Sequence, residues 1–318
     1  MQNIKTLVFG PIPLRRLGRS LGINNVPLKT CSYSCVYCQL GKTSHMLVKR
    51  QAFYKPEHVL MQVKRKINEI RSKGERIDYI TFVPNGEPTL DVNIGKEISL
   101  LKLLGFPIAV ITNASLLWQS DVRKDLMIAD FVSLKVDAIS QDLWRRINRP
   151  HKDLKLDIIF DGIKKFSETF RGILVSETML IDDINYESEL AEMANFLGSL
   201  SKIDKAYITV PTRPPTERWV KPAKEEIINA AFKKFSEKLG SKVEYLIGYE
   251  EDTFVSISDA EEDLLSITTV HPMRKEAVVE FLKKANADWK LIEKLLKESK
   301  LIELEYEGKK YYMRKPES

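Results

Sequence analysis

Cys31-Ser32-Tyr33-Ser34-Cys35-Val36-Tyr37-Cys38 holds all three cysteines of a 318-residue chain, spaced C-x3-C-x2-C. Three thiolates this close in sequence can converge on one inorganic centre. A [4Fe–4S] cluster takes four thiolates. With three, one iron keeps an open coordination position, as a catalytic metal centre does and a closed structural site does not. A structural zinc site is the alternative. It would need a fourth ligand, and His45, seven residues past Cys38, is the near candidate. Disulfides fit poorly, because three thiols leave one over and the rest of the chain offers no partner.

Outward from the octad the chain alternates between two periodicities. A first strand is expected near residues 21–26, leading into the cysteines. Further apolar strands follow at 78–84, 107–113, 131–137, 172–180 and 206–211, with an extra one at 243–247. Helical patterns separate them at 56–73, 92–104, 120–129, 153–169, 185–200 and 222–239. Pro56 suits the first helical position, and Val59, Val63, Ile67 and Ile70 repeat at helical spacing. Strands alternating with helices predict a parallel sheet of α/β class. Six units fall short of the eight that close a barrel, so a partial (β/α)6 barrel over residues 1–250 is expected. Its functional residues should lie at the C-terminal strand ends. Phe9-Gly10-Pro11-Ile12-Pro13 reads as turn punctuation in a lead-in, followed by the basic run Arg15-Arg16-Leu17-Gly18-Arg19.

Beyond residue 255 the pattern changes. Helices at 260–267, 274–284 and 289–298, the last capped by Asp288, precede a hairpin whose turn is Glu307-Gly308. Three helices and a hairpin predict a winged-helix domain over 255–318. Twelve Lys/Arg and thirteen Asp/Glu over 259–318 give it a net charge of −1. That is a poor footprint for phosphate binding, so packing or protein contact is an equal reading.

Several strand ends carry polar groups. After the second strand comes Asn85-Gly86-Glu87-Pro88-Thr89. A carboxylate there can accept hydrogen bonds from an ammonium group, and the glycine lets backbone approach closely. The third strand ends at Asn113. The fourth places Ser133, Lys135 and Asp137 on one face by its period of two, for ligand contact or for an internal Lys135–Asp137 ion pair. The fifth carries Glu177 in an apolar run. After the sixth, Arg213 stands between prolines as an anion clamp or a surface arginine. The four histidines, 45, 58, 151 and 271, are isolated and read as surface or structural.

The C-x3-C-x-aromatic-C octad, followed one βα unit later by Gly-Glu-Pro, resembles the radical S-adenosylmethionine (SAM) superfamily. The resemblance covers roughly residues 20–215. It implies that Cys31, Cys35 and Cys38 hold three irons of a [4Fe–4S] cluster and that SAM chelates the fourth. It puts Tyr37 near the adenine and the Gly86-Glu87 segment on the methionine amino group, with Asn85 where the family often has glycine. Asn113, Ser133, Lys135, Asp137 and Glu177 become candidate SAM contacts. The implied reaction is reductive cleavage of SAM to a 5′-deoxyadenosyl radical, with ferredoxin or flavodoxin as electron donor. The Phe-Gly-Pro-x-Pro-x-Arg-Arg-Leu-Gly lead-in and the C-terminal pattern resemble a microbial iron–sulfur oxidoreductase group. That group is distantly similar to tRNA wyosine-synthesis and glycyl-radical-activating enzymes.

No apolar run reaches the ~18–20 residues of a membrane span, and the N-terminus is too mixed for a secretion signal. A cytoplasmic protein with reduced thiols is therefore expected. Over residues 1–70, twelve Lys/Arg stand against two acids, a net of +10 that leaves −4 for the other 248 residues. Basic charge around the cysteine loop suggests an anionic ligand or an RNA substrate such as tRNA. A near-neutral C-terminus suggests a protein substrate instead.

Overall fold

The computed structural model describes residues 7–14, 16–83, 85–248, 254, 256–257 and 259–315. Arg15, Pro84 and the junction at 249–253 lie outside them. Among the described residues one sheet has eight strands. In spatial order they are β1 (Val8–Leu14), β2 (Gly18–Ile23), β5 (Tyr79–Phe82), β6 (Ile108–Thr112), β7 (Phe131–Lys135), β8 (Ile173–Met179), β9 (Lys205–Thr209) and β10 (Val243–Leu246). From β2 to β10 every pairing is parallel, and β1 joins the edge antiparallel. Helices α1 (Pro56–Ser72), α2 (Ile94–Lys102), α3 (Ser120–Leu126), α4 (Gln141–Ile147), α5 (Leu156–Thr169), α6 (Glu189–Gly198) and α7 (Glu225–Leu239) form the crossovers.

The expected α/β alternation is present, and its physical basis is the burial pattern. Val59, Val63, Ile67 and Ile70 of α1 are all buried against the sheet. So are Val110, Val132, Leu134, Leu174 and Ile208, which alternate along the helix-facing side of the strands. The opposite face carries Ala109, Phe131, Val175 and Tyr207, and Leu17 from the β1–β2 turn packs onto them. Arg16 of that turn reaches Glu177 of β8. Four strand spacings separate β2 from β8, about 19 Å in a flat sheet. The sheet must therefore curl into an arc. β1 and β10 terminate opposite ends of the strand order, so the arc stays open.

Three elements differ from expectation. Residues 8–14 form β1 rather than a turn. Pro11 and Pro13 are tolerated because β1 is an edge strand, and a bulge falls between Phe9 and Ile12. The first parallel strand is Gly18–Ile23, not 21–26. Helix α4 was not expected; Ser140 caps it through its hydroxyl, which accepts from the Leu143 N–H.

The C-terminal segment consists of α8 (Ala260–Val270), β11 (Met273–Arg274), α9 (Lys275–Lys284), α10 (Lys290–Lys297), β12 (Leu301–Tyr306) and β13 (Lys309–Arg314). Its sheet runs β11-β13-β12. The β12–β13 turn has positive φ at Glu307 (49°) and Gly308 (69°), as a two-residue type I′ turn requires. Asp288 accepts from the Lys290 N–H at the start of α10. These elements share a second apolar core, and Phe9 and Ile12 of β1 extend into it. A buried Lys66–Asp263 ion pair of 3.0 Å joins α1 to α8.

Candidate active site

The cysteines lie on the loop between β2 and α1, at the C-terminal end of the parallel strands. The loop is folded on itself. Strand β3 (Thr30–Cys31) pairs with β4 (His45–Met46), and Leu47 N–H donates to the Cys31 carbonyl at 3.0 Å. It is held by the end of α4, where the Ile147 carbonyl accepts from Val36 N–H (2.9 Å) and the Asn148 carbonyl just beyond the helix accepts from Ser34 N–H (3.1 Å). All three thiols are free and half-buried.

Two asparagine amides point at the sulfurs. Asn113 Nδ2 stands 3.6 Å from Cys31 Sγ, and Asn148 Nδ2 stands 3.5 Å from Cys35 Sγ. Burial pushes all three thiols up, Cys35 to about 12. For Cys31 the buried Glu87 carboxylate adds to that effect, whereas Lys29 and Lys135 pull Cys38 the other way. Clustered, desolvated thiols need nearby positive charge to ionise. A cationic iron centre supplies it, so the donor set suits an iron–sulfur cluster. Among the described residues no three His, Cys, Asp or Glu side chains converge on a single ion. His45 is exposed and bonded to Ser44, so nothing favours the zinc alternative.

The Asn85-Gly86-Glu87 segment lies directly under the loop. Asn85 carbonyl accepts from Lys29 N–H at 2.7 Å, and Glu87 N–H donates to the Thr30 carbonyl at 3.0 Å. The Glu87 carboxylate is buried. Its Oε1 accepts from Thr89 N–H, Thr89 Oγ1 and Thr112 Oγ1, and its Oε2 accepts from Asn113 N–H at 2.7 Å. It thus braces β6 against the cysteine loop. Asn85 Oδ1 is buried with no donor among the described residues. An orphaned acceptor here fits an ammonium group of a bound ligand.

Tyr37 sits under Asp137. Its hydroxyl donates to the Asp137 carboxylate, which also accepts from Asn148 Nδ2 (2.8 Å) and Met179 N–H (2.8 Å). Lys135 Nζ stands 5.4 Å over the Tyr37 ring. It pairs with Glu177 at 3.7 Å rather than with Asp137, because the β7–β8 register sets Lys135 beside Glu177. Ser133 Oγ donates to the same carboxylate. Ser133, Lys135 and Glu177 therefore meet on the concave face, while Asp137 belongs to the cysteine side.

Arg213 is not an open anion clamp. Its Nη1 donates to Gln39 Oε1 at 3.1 Å, and its Nη2 lies 2.9 Å from His271 Nε2. Burial, then Arg213, holds His271 well below the ordinary imidazole value, so the ring is neutral and accepts. Gln39 Nε2 donates to the Val270 carbonyl, and Thr216 Oγ1 donates to the Cys38 carbonyl at 2.7 Å. The β9–α7 loop is thus held between the cysteine loop and the C-terminal segment. Sequence reasoning missed Asn148 and Arg16. Asn148 carried no signal; Arg16 was visible only as part of a basic run.

A sequence profile of the Radical SAM superfamily matches residues 25–197. The chain is 46% identical over 311 residues to the UPF0026 protein of Methanocaldococcus jannaschii, spanning 97% of this chain and 96% of that one. A radical SAM methyltransferase from Sphaerobacter thermophilus shares the fold with a TM-score of 0.56 at 16% identity, over 74% of this chain and 68% of that one. The structure of TYW1 with a lysine–pyruvate adduct bound gives 0.50 at 17% identity, over 69% and 73%. The cysteine spacing, the parallel sheet and these matches agree: the chain belongs to the Radical SAM superfamily, whose enzymes bind a [4Fe–4S] cluster and SAM, and within it to the UPF0026 group.

Proposed function

We propose that this enzyme cleaves SAM reductively and takes a hydrogen atom from a substrate seated on the concave face of the sheet. One observation carries the reading: three free thiols share a loop at the C-terminal ends of a curled parallel sheet. Cys31, Cys35 and Cys38 would hold the cluster. When bound, cluster and SAM together supply methionine and a 5′-deoxyadenosyl radical from one added electron. Asn113 and Asn148 donate to the sulfurs, and Glu87 holds Asn113 in place. Asn85 Oδ1 and the Gly86 backbone take the methionine ammonium group. Tyr37, fixed by Asp137, flanks the adenine, and Ser133, Lys135 and Glu177 line the space beyond.

A low-potential protein such as ferredoxin or flavodoxin would deliver the electron, in a cytoplasmic setting. No helix among the described residues is long and apolar enough to cross a membrane. The +10 charge of residues 1–70, which suggests an RNA substrate, is neutralised in part by carboxylates of other elements. Arg16, Arg19, Arg50 and Lys66 are each paired with a carboxylate of the chain, whereas Lys49, Lys55 and Lys64 are exposed. The three helices and hairpin after residue 259 fit a winged-helix module. Tyr306 and Tyr311 of its hairpin donate to the Pro211 and Thr212 carbonyls, which supports a packing role.

Anaerobic reconstitution followed by iron analysis and incubation with dithionite and SAM tests the reading. About four irons per chain and release of 5′-deoxyadenosine are expected, with neither from Cys35→Ala. Release by Cys35→Ala at the wild-type rate overturns it.

A further inference from the structure

The concave face carries a charge imbalance away from the cysteines. Arg16 enters from the β1–β2 turn, at the end of the sheet remote from the cysteine loop. Its side chain is 10% exposed, and its Nη2 lies 2.7 Å from Glu177 Oε1. Lys135 Nζ approaches Glu177 Oε2 at 3.7 Å. Among the described residues two cations thus share one carboxylate, and Arg16 Nε is buried with no acceptor. A salt bridge that merely tied the turn to β8 would need one cation, with its guanidinium donors satisfied.

Burial along the hollow side of the curled sheet outlines a cleft. Below, Leu17, Ala109, Phe131, Val175 and Tyr207 pack into a closed apolar floor. Above, on the same face, Ile111, Lys135 and Met179 are only half-buried, so the cleft opens toward the cysteine loop. Lys135 is the cation at the mouth, over Tyr37. Arg16 comes from the β1–β2 turn at the opposite end of the strands and meets the other oxygen of the Glu177 carboxylate.

We propose that Arg16, with Lys135, binds an anionic group of the substrate, a carboxylate or a phosphate, at the floor of this cleft. The proposal rests on reading the mouth of the cleft as the SAM site. A guanidinium presents a planar fork that matches either anion, and a desolvated site strengthens the pairing. Glu177 orients the two cations and keeps the empty cleft from holding both uncompensated. The Arg-Arg-Leu-Gly run of the lead-in thereby acquires a role: it delivers one arginine through the turn into the cleft.

The test uses reconstituted holoenzyme with inorganic phosphate and with acetate as probes, sodium chloride matching ionic strength. Melting temperature is followed against probe concentration, with and without SAM. A saturable rise beyond the chloride control is expected for at least one probe. Arg16→Gln should weaken the apparent affinity at least tenfold, and Arg16→Lys less. If the single variant does not fold, Arg16→Gln with Glu177→Gln restores the charge balance and gives the same reading. No saturable rise in the wild type, or unchanged affinity in the variants, overturns the proposal. Competition between SAM and the probe also overturns it, since the anion would then be the methionine carboxylate. Wild-type 5′-deoxyadenosine release is measured in parallel. Cleavage without anion binding rejects this site alone, and anion binding without cleavage rejects the proposed function alone.

Discussion

Gly86 lies against Thr30 so closely that a Cβ at position 86 would stand 1.8 Å from the Thr30 carbonyl oxygen. Thr30 immediately precedes the first cysteine, so this contact sets the height of the cysteine loop above the sheet. The obstructing atom is backbone and cannot be relieved by a rotamer change. Gly86→Ala should therefore cost about 3 kcal/mol or more and lift the loop. Urea denaturation reads the first effect and iron content after reconstitution the second. A variant with wild-type stability and iron content would show that the loop yields freely.

Glu87→Gln tests the carboxylate as a brace. Among the described residues four donors contact its oxygens, two of them hydroxyls that can rotate and two of them backbone N–H groups. A glutamine amide must turn its NH2 toward one of these sets. Leaving a buried donor unsatisfied costs about 1–3 kcal/mol. Because Asn113 stands between Glu87 and Cys31, faster iron loss to a chelator should accompany the lost stability. Lost stability with unchanged iron loss would confine Glu87 to the fold.

The parallel strands were legible in the sequence because each is a short apolar run between turn residues. Strand β1 was not, because Pro11 and Pro13 obscure a strand that only an edge position permits. Period-two alternation grouped Ser133 with Lys135 correctly. It could not choose Glu177 over Asp137 as the partner of Lys135, since that choice depends on the β7–β8 register. Asn148 is 113 residues from Cys35, and Arg16 is 161 positions from Glu177. Contacts of that span arise from how the sheet curls, which no local pattern encodes.

Gln39 follows Cys38 directly and joins the Val270 carbonyl to Arg213. Gln39→Ala removes both contacts and leaves a partly buried carbonyl and guanidinium each short of one partner. The expected loss is about 1–2 kcal/mol, with several-fold faster release of iron to a chelator. His271→Ala should act in the same direction through Arg213. Wild-type chelation kinetics in both variants would show that the C-terminal segment packs on the barrel without holding the third cysteine.

Glu97, on α2, is 1% exposed, and burial with the neighbouring Asp91 charge pushes its carboxyl up to about 9. Asp91 is itself raised to about 7, chiefly by burial. Unfolded, both would titrate near the ordinary carboxyl range of about 4. Between those limits the folded state binds more protons than the unfolded chain, so stability falls as pH rises. The contribution is full below about pH 4, is lost across the interval up to the folded values, and changes by at most about 1.4 kcal/mol per pH unit for one group. Glu97→Gln removes the proton uptake while keeping the shape. Relative to this variant, the wild type should lose about 3 kcal/mol between pH 6 and pH 8, read by urea unfolding at the two values. The variant should also be the more stable protein at pH 8, because the wild type must there either ionise a buried carboxyl or hold its proton against the solvent. Parallel stability curves would mean that Glu97 titrates normally and that its burial is relieved by solvent the fold admits.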